Sequence, residues 1–165
     1  MKTLYLIRHA KSSWKTEGQD DYDRPLNNRG ERDAPLMAAV MKHRKEIPQL
    51  LLSSSACRAQ QTAQAFAAHL AGENPELVFE KKLYLAGSGT ILEIVNHLED
   101  RFDTVAIFAH NPGMSNAVEY FSNEVVDMPT TGIVRIDFGV DSWKEVSGST
   151  GMFRYFDYPK KHIVL

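Results

Sequence analysis

Apolar residues fall in two alternating rhythms along this chain. Mostly apolar runs at 3–7, 50–52 and 104–109 are too short for free-standing helices and predict buried strands. Between them, apolar positions recur at helical spacing. Leu36, Met37, Val40 and Met41 mark one helix, Ala59, Ala63, Phe66, Ala67 and Leu70 a second, and Ile91, Leu92, Ile94, Val95 and Leu98 a third. Asn28 or Asp33 would cap the first, and Pro35 sets its start near Asp33 or bends it. Asn111-Pro112 predicts the start of a fourth helix, with a capping side chain, proline at the first position, and Ala117, Val118 and Phe121 facing inward. A short strand is expected at 77–79, after Pro75. The last third changes character: Ile133–Phe138 and 153–158 alternate apolar with polar or aromatic residues and predict strands at the sheet edge, one of them able to run antiparallel.

This order predicts an α/β fold of three layers, α/β/α, with a mostly parallel central sheet and helices on both faces. With 165 residues, no repeat and no linker, the chain reads as one domain over 1–165. The composition is 43% hydrophobic and 24% charged, and the formal charge of −2 offers no basic field for nucleic acid or for an anionic membrane. Cys57 is the single cysteine, so no internal disulfide is expected; it reads as incidental and suits a reducing compartment. No run approaches a bilayer span, and Met1-Lys2 leads straight into a strand, which does not resemble a signal peptide. A cytoplasmic location is expected.

Three predicted strands end in polar groups: Arg8-His9, Ser53 to Arg58, and His110-Asn111. The carboxyl ends of parallel strands open on one side of a sheet, so these residues can converge on one crevice. Arg8 and Arg58 are permanent cations whose planar forks match phosphate oxygens. Backbone amides opening the helices after Ser55 and after Asn111 would also face an anion. That set suits a phosphoryl group. An imidazole beside two arginines is held neutral, which leaves a ring nitrogen free to attack phosphorus. The second imidazole can donate to the phosphoryl oxygens.

These residues carry a resemblance. Leu6-Ile7-Arg8-His9-Ala10 resembles the signature strand of the histidine phosphatase superfamily, which includes the phosphoglycerate mutases, with Ala10 where glycine is usual. The stretch 53–63 is similar to the family segment whose arginine, here Arg58, binds phosphate, and Phe108-Ala109-His110-Asn111-Pro112-Gly113 to the one supplying the second histidine. Asp23-Arg24-Pro25-Leu26 with Arg29-Gly30 matches a stretch of small members. The resemblance implies His9 as nucleophile, with Arg8, Arg58 and His110 forming the phosphate pocket. Lys11 and Ser12 follow the motif as candidate contacts to phosphate or substrate, as does Asn111, while Lys11 reads equally as a solvated loop cation.

The pattern departs from the family at the acid. Leu83-Tyr84-Leu85-Ala86-Gly87 holds no carboxylate where the mutase-like branch has one, and Asn111 stands where the acid phosphatase branch has aspartate. Glu80, Asp20, Asp21 and Asp23 are the remaining acid candidates, each also readable as a surface charge. A site without an acid disfavours an alkoxide leaving group and favours the imidazole of a phosphohistidine. The small SixA-type phosphohistidine phosphatases share the Arg-His-Ala-Lys-Ser and Asp-Arg-Pro-Leu resemblance. The expected partner is a phosphohistidine-bearing protein. The alternatives are a small phosphoester handled by a phosphatase or mutase, and a non-enzymatic phosphate-binding module. Two arginines beside His9 and His110 would repel a cation, and His43, His69, His97 and His162 have no ligand spacing, so neither metal nor cofactor is expected. Trp14 and Tyr22 are candidates for a peptide-binding rim.

Overall fold

The computed structural model describes residues 1–163. Six strands, β1 (Lys2–Arg8), β2 (Leu50–Ser53), β3 (Glu76–Phe79), β4 (Thr104–Ala109), β5 (Ile133–Phe138) and β6 (Gly151–Asp157), form one sheet in the order β3-β2-β4-β1-β5-β6. The first four in that order are parallel; β5 runs antiparallel to β1, and β6 antiparallel to β5. The expected edge position therefore holds for β6 but not for β5, which is buried between β1 and β6.

Side-chain alternation along β1 explains the layers. Leu4 and Leu6 join one core with Ile91, Val95, Met114, Val118 and Phe121, beneath α3 (Ser88–Asn96) and α4 (Gly113–Ser122). Tyr5 and Ile7 join the other with Met37, Met41, Ala63 and Phe66, beneath α1 (Asn28–His43) and α2 (Cys57–His69). Trp143, from the last third, fills the first core and donates its indole N–H to the Phe102 carbonyl.

The helix boundaries shift for identifiable reasons. Asn27, not Asn28 or Asp33, caps α1: its side chain accepts from the Gly30 amide at 2.9 Å. The helix then runs through Pro35 without a break. At α4, Pro112 holds the cap position and not the first turn; the Asn111–Pro112 bond is cis, and Asn111 Oδ1 accepts from the Ser115 amide at 3.1 Å. Among the described residues, no helix is long and apolar enough to cross a membrane.

Candidate active site

Sheet register decides which residues meet. Arg8 pairs with Ala109, and Ser53 with Phe108, so β1, β2 and β4 end almost level. The ladder continues one bond past the strands: His9 N–H donates to Ala109 O (3.0 Å) and Ser54 N–H to Phe108 O (2.9 Å). Thr131, in a left-handed conformation (φ +60°), donates its amide to the carbonyls of both Arg8 and His9. The Arg8-His9 backbone is thus clasped from both sides, at the carboxyl ends where an open α/β sheet holds ligands.

The two imidazoles lie there with ring centroids 5.2 Å apart, both buried. His9 Nδ1 is 2.7 Å from the Ala10 carbonyl, which can only accept, so Nδ1 carries the proton and Nε2 the lone pair. Arg58 Nε donates to that same Nε2 at 3.3 Å. Burial pushes the His9 pKa down to about 3, with His110, Arg58 and Arg8 adding to the shift against a backbone hydrogen bond that opposes it. His110 Nε2 is 2.8 Å from Ser54 Oγ, which already accepts from the Ala56 amide. The Ser54 hydroxyl can donate to Nε2 or accept from it, and donation leaves the proton of neutral His110 on Nδ1. That Nδ1 is buried with no protein partner. Burial, then Arg58, lowers the His110 pKa to about 4.

Arg8 Nη1 donates to the Met128 carbonyl at 3.0 Å, while its buried Nε has no partner. Arg58 reaches Asp21 through Nη1 to the backbone carbonyl (2.6 Å) and Nη2 to Oδ2 (3.0 Å). These residues line a cleft of about 290 Å³ together with Lys11, Ser12, Trp14, Arg24, Leu85, Asn111 and Thr130. A larger hollow of about 530 Å³ beside Lys42 and Leu70 is lined by neither histidine nor arginine. The cleft thus presents one unprotonated ring nitrogen beside guanidinium donors and a second imidazole. Such a set can accept a tetrahedral oxyanion and attack its central atom.

A scan against family descriptions matches residues 4–83 to the histidine phosphatase superfamily, branch 1. The fold is that of SixA from Agrobacterium tumefaciens, with a TM-score of 0.83 and 28% identity over 96% of this chain and 98% of that one. Both likenesses are to the histidine phosphatase superfamily. A protein histidine phosphatase SixA complexed with tungstate shares the fold at a TM-score of 0.81 and 21% identity, covering 96% of this chain and 98% of that one. An uncharacterised chloroplast protein of Arabidopsis thaliana is 28% identical over 158 residues, 91% of this chain and 72% of its own length.

Within this histidine phosphatase fold the remaining candidates separate. Lys11 is exposed on the cleft wall. Ser12 is buried, its Oγ accepting from Arg24 Nη1 at 2.9 Å. Asn111 spends its amide on the Met128 carbonyl and its oxygen on Ser115, bracing α4 against the 128–132 segment. Of the four acid candidates only Asp21 lines the cleft; Glu80 caps the turn at Lys82. Burial raises the Asp21 pKa, but hydrogen bonds from Tyr84 and Arg58 and the Arg58 charge outweigh it and bring the value to about 2. Tyr22 anchors its loop through Ser55 Oγ, while Trp14 stays exposed at the rim, stacked on Arg24 at 3.3 Å. The Cys57 thiol is pushed up by burial and by Asp23, the opposite of an activated nucleophile. Among the described residues no group of three or more His, Cys, Asp or Glu is arranged to hold a metal ion.

Sequence reasoning passed over Ser54 and Tyr84. Ser54 was visible only as one of three consecutive serines, and the register singles it out. Tyr84 carries no sequence signal of its own, yet its hydroxyl donates to Asp21 Oδ2 at 2.6 Å and its ring stands edge-on to His110.

Proposed function

We propose that the protein is a phosphatase that moves a phosphoryl group from a phosphohistidine-bearing protein to His9, and from there to water. The observation that carries this reading is the pair of buried imidazoles set between two arginines. His9 offers an unprotonated Nε2, while His110 Nδ1 and Arg8 Nε are buried without protein partners. In the first step His9 Nε2 bonds to phosphorus as the bond to the leaving nitrogen breaks. Arg8, Arg58 and His110 Nδ1 hold the three phosphoryl oxygens as charge shifts onto them. In the second, water attacks phospho-His9, the P–N bond breaks toward Nε2, and dihydrogen phosphate leaves.

The preference for a phosphoramidate rests on Asp21. It is the one carboxylate among the residues lining the cleft, and its low pKa keeps it ionised and without a proton to give. An alkoxide needs that proton; general acid catalysis typically supplies about a hundred- to ten-thousand-fold. A departing imidazole that carries a proton on its other nitrogen does not.

The test compares phosphate release from a phosphohistidine-bearing protein with release from an alkyl phosphate such as phosphoserine. The expected result is an alkyl phosphate rate at least about a hundredfold lower. His9→Ala should abolish both activities and the acid-labile label on the enzyme. Faster turnover of the alkyl phosphate would mean that an acid is recruited in the complex, and small phosphoesters would become the substrate class. Retained phosphate binding with no turnover of either substrate would identify a phosphate-binding module.

A further inference from the structure

Asp21 is placed where a simple phosphate pocket would not want it. Every other charged side chain lining the cleft, Arg8, Lys11, Arg24 and Arg58, is cationic apart from the neutral histidines. A carboxylate among them competes with an incoming phosphoryl group for the same guanidiniums. Its Oδ1 is held by Arg24 Nε (3.1 Å) and Nη2 (3.0 Å), and its Oδ2 by Arg58 Nη2 (3.0 Å) and Tyr84 Oη (2.6 Å). Four donors fill the four lone-pair positions of a carboxylate. The side chain nevertheless remains 40% exposed, toward the cleft it lines. One guanidinium spans the gap to the nucleophile, with Arg58 Nε on His9 Nε2 and Nη2 on Asp21 Oδ2.

We propose that Asp21 selects for phosphohistidine by accepting a hydrogen bond from the ring N–H of the departing imidazole when Arg58 turns to the phosphoryl oxygens. This rests on the phosphatase reading above and specifies how its site tells nitrogen from oxygen leaving groups. The exchange keeps the number of hydrogen bonds. The Arg58 Nη2–H bond passes from Asp21 Oδ2 to a phosphoryl oxygen, and the substrate ring N–H fills the vacated position on Oδ2. As the bond from phosphorus to the substrate nitrogen breaks, its electron pair returns to that nitrogen, and the His9 Nε2–P bond forms from the His9 lone pair. The substrate ring keeps the N–H bonded to Asp21 and leaves as neutral imidazole, so no proton has to come from the enzyme. An alkoxide or phenolate brings no donor for Oδ2 and instead places developing negative charge beside a carboxylate. The ionised state of Asp21 supports this role over that of a general acid.

Asp21→Asn tests the proposal against two substrates, protein phosphohistidine and p-nitrophenyl phosphate, whose phenolate leaves without an acid and carries no N–H. The ratio of their kcat/KM values is expected to fall by roughly tenfold to a hundredfold, the range for one charge-assisted hydrogen bond. The p-nitrophenyl phosphate rate itself should rise as the repulsion is removed. Asp21→Glu, which restores a carboxylate, should recover part of the ratio. Should Asp21→Asn fail to fold, Tyr84→Phe serves: it strips one donor from Oδ2, leaves the charge, and should keep the phosphohistidine preference. Equal losses on both substrates in Asp21→Asn would reduce Asp21 to a positioning residue for Arg58 and overturn the proposal, while the phosphatase reading would stand. A wild-type enzyme with no preference for phosphohistidine over phosphoserine would overturn both.

Discussion

Ser54 shows how one hydroxyl can bias the state of a buried imidazole. Its oxygen accepts from the Ala56 amide and lies 2.8 Å from His110 Nε2, and a proton donated there favours the tautomer with Nδ1–H. Ser54→Ala removes one buried hydrogen bond, worth about 0.5–1.5 kcal/mol, and frees the other tautomer. We expect kcat to fall about three- to tenfold in steady-state assays, with circular dichroism unchanged. In the proposed mechanism His110 is an oxyanion donor, so for His110→Ala we expect a loss of about a hundred- to a thousandfold in kcat. The imidazole pKa values carry a sign as well. Both rings are neutral down to about pH 4, so kcat/KM for p-nitrophenyl phosphate should show no acid limb from His9 or His110 between pH 5 and 8. An acid limb near pH 6.5 that disappears in His110→Ala would contradict this electrostatic picture.

At the scale of elements, the site depends on two close backbone approaches. A Cβ on Gly113, the first residue of α4, would collide with the Ala86 carbonyl, in the loop that sets Tyr84 against His110 and Leu85 on the cleft wall. A Cβ on Gly30 in α1 would collide with the Lys11 carbonyl, which also accepts from the Asn27 amide. Backbone cannot yield as a flexible side chain does, so either alanine forces a helix to move. Each substitution should cost about 1–3 kcal/mol, the usual range for overpacking, read as a lower Tm. Gly113→Ala should also lower activity, because it pushes the Tyr84 loop away from His110 and Asp21. Leu85 belongs to the same loop; it adopts a left-handed conformation (φ +53°) and leaves an apolar side chain 60% exposed at the cleft mouth.

For the whole molecule, a formal charge of −2 hides a cleft lined by four cations and one anion. Local charge, not net charge, steers a phosphorylated ligand to this site. Raising ionic strength from roughly 0.01 M to roughly 1 M shortens the screening length from about 30 Å to about 3 Å. We therefore expect kcat/KM to fall with salt while kcat changes little. Stability should follow the buried imidazoles. Their unfolded pKa is near 6.5, and the folded values lie at about 3 and 4. Between these limits the unfolded chain binds more protons, so acidification favours unfolding. The urea midpoint should drop from pH 7 to pH 5, and His110→Asn should flatten that slope.

Local pattern was enough for much of this. The alternation of short apolar runs with helical-period stretches determined the layers, because burial on a strand or a helix face is a property of spacing alone. Arg8, His9, Arg58 and His110 could be singled out because each follows a strand or opens a helix, and in a parallel sheet such ends share one side. Other features had no sequence signal. The interior place of β5 depends on pairing with β1, a contact between residues more than a hundred positions apart. The roles of Ser54, Tyr84 and Asp21 arise from register and loop placement: one of three serines meets His110, and one of four carboxylates meets Arg58. Hydrogen bonds and charge interactions act over a few ångströms, so only the tertiary structure could decide which polar groups stand close enough to tune the two histidines.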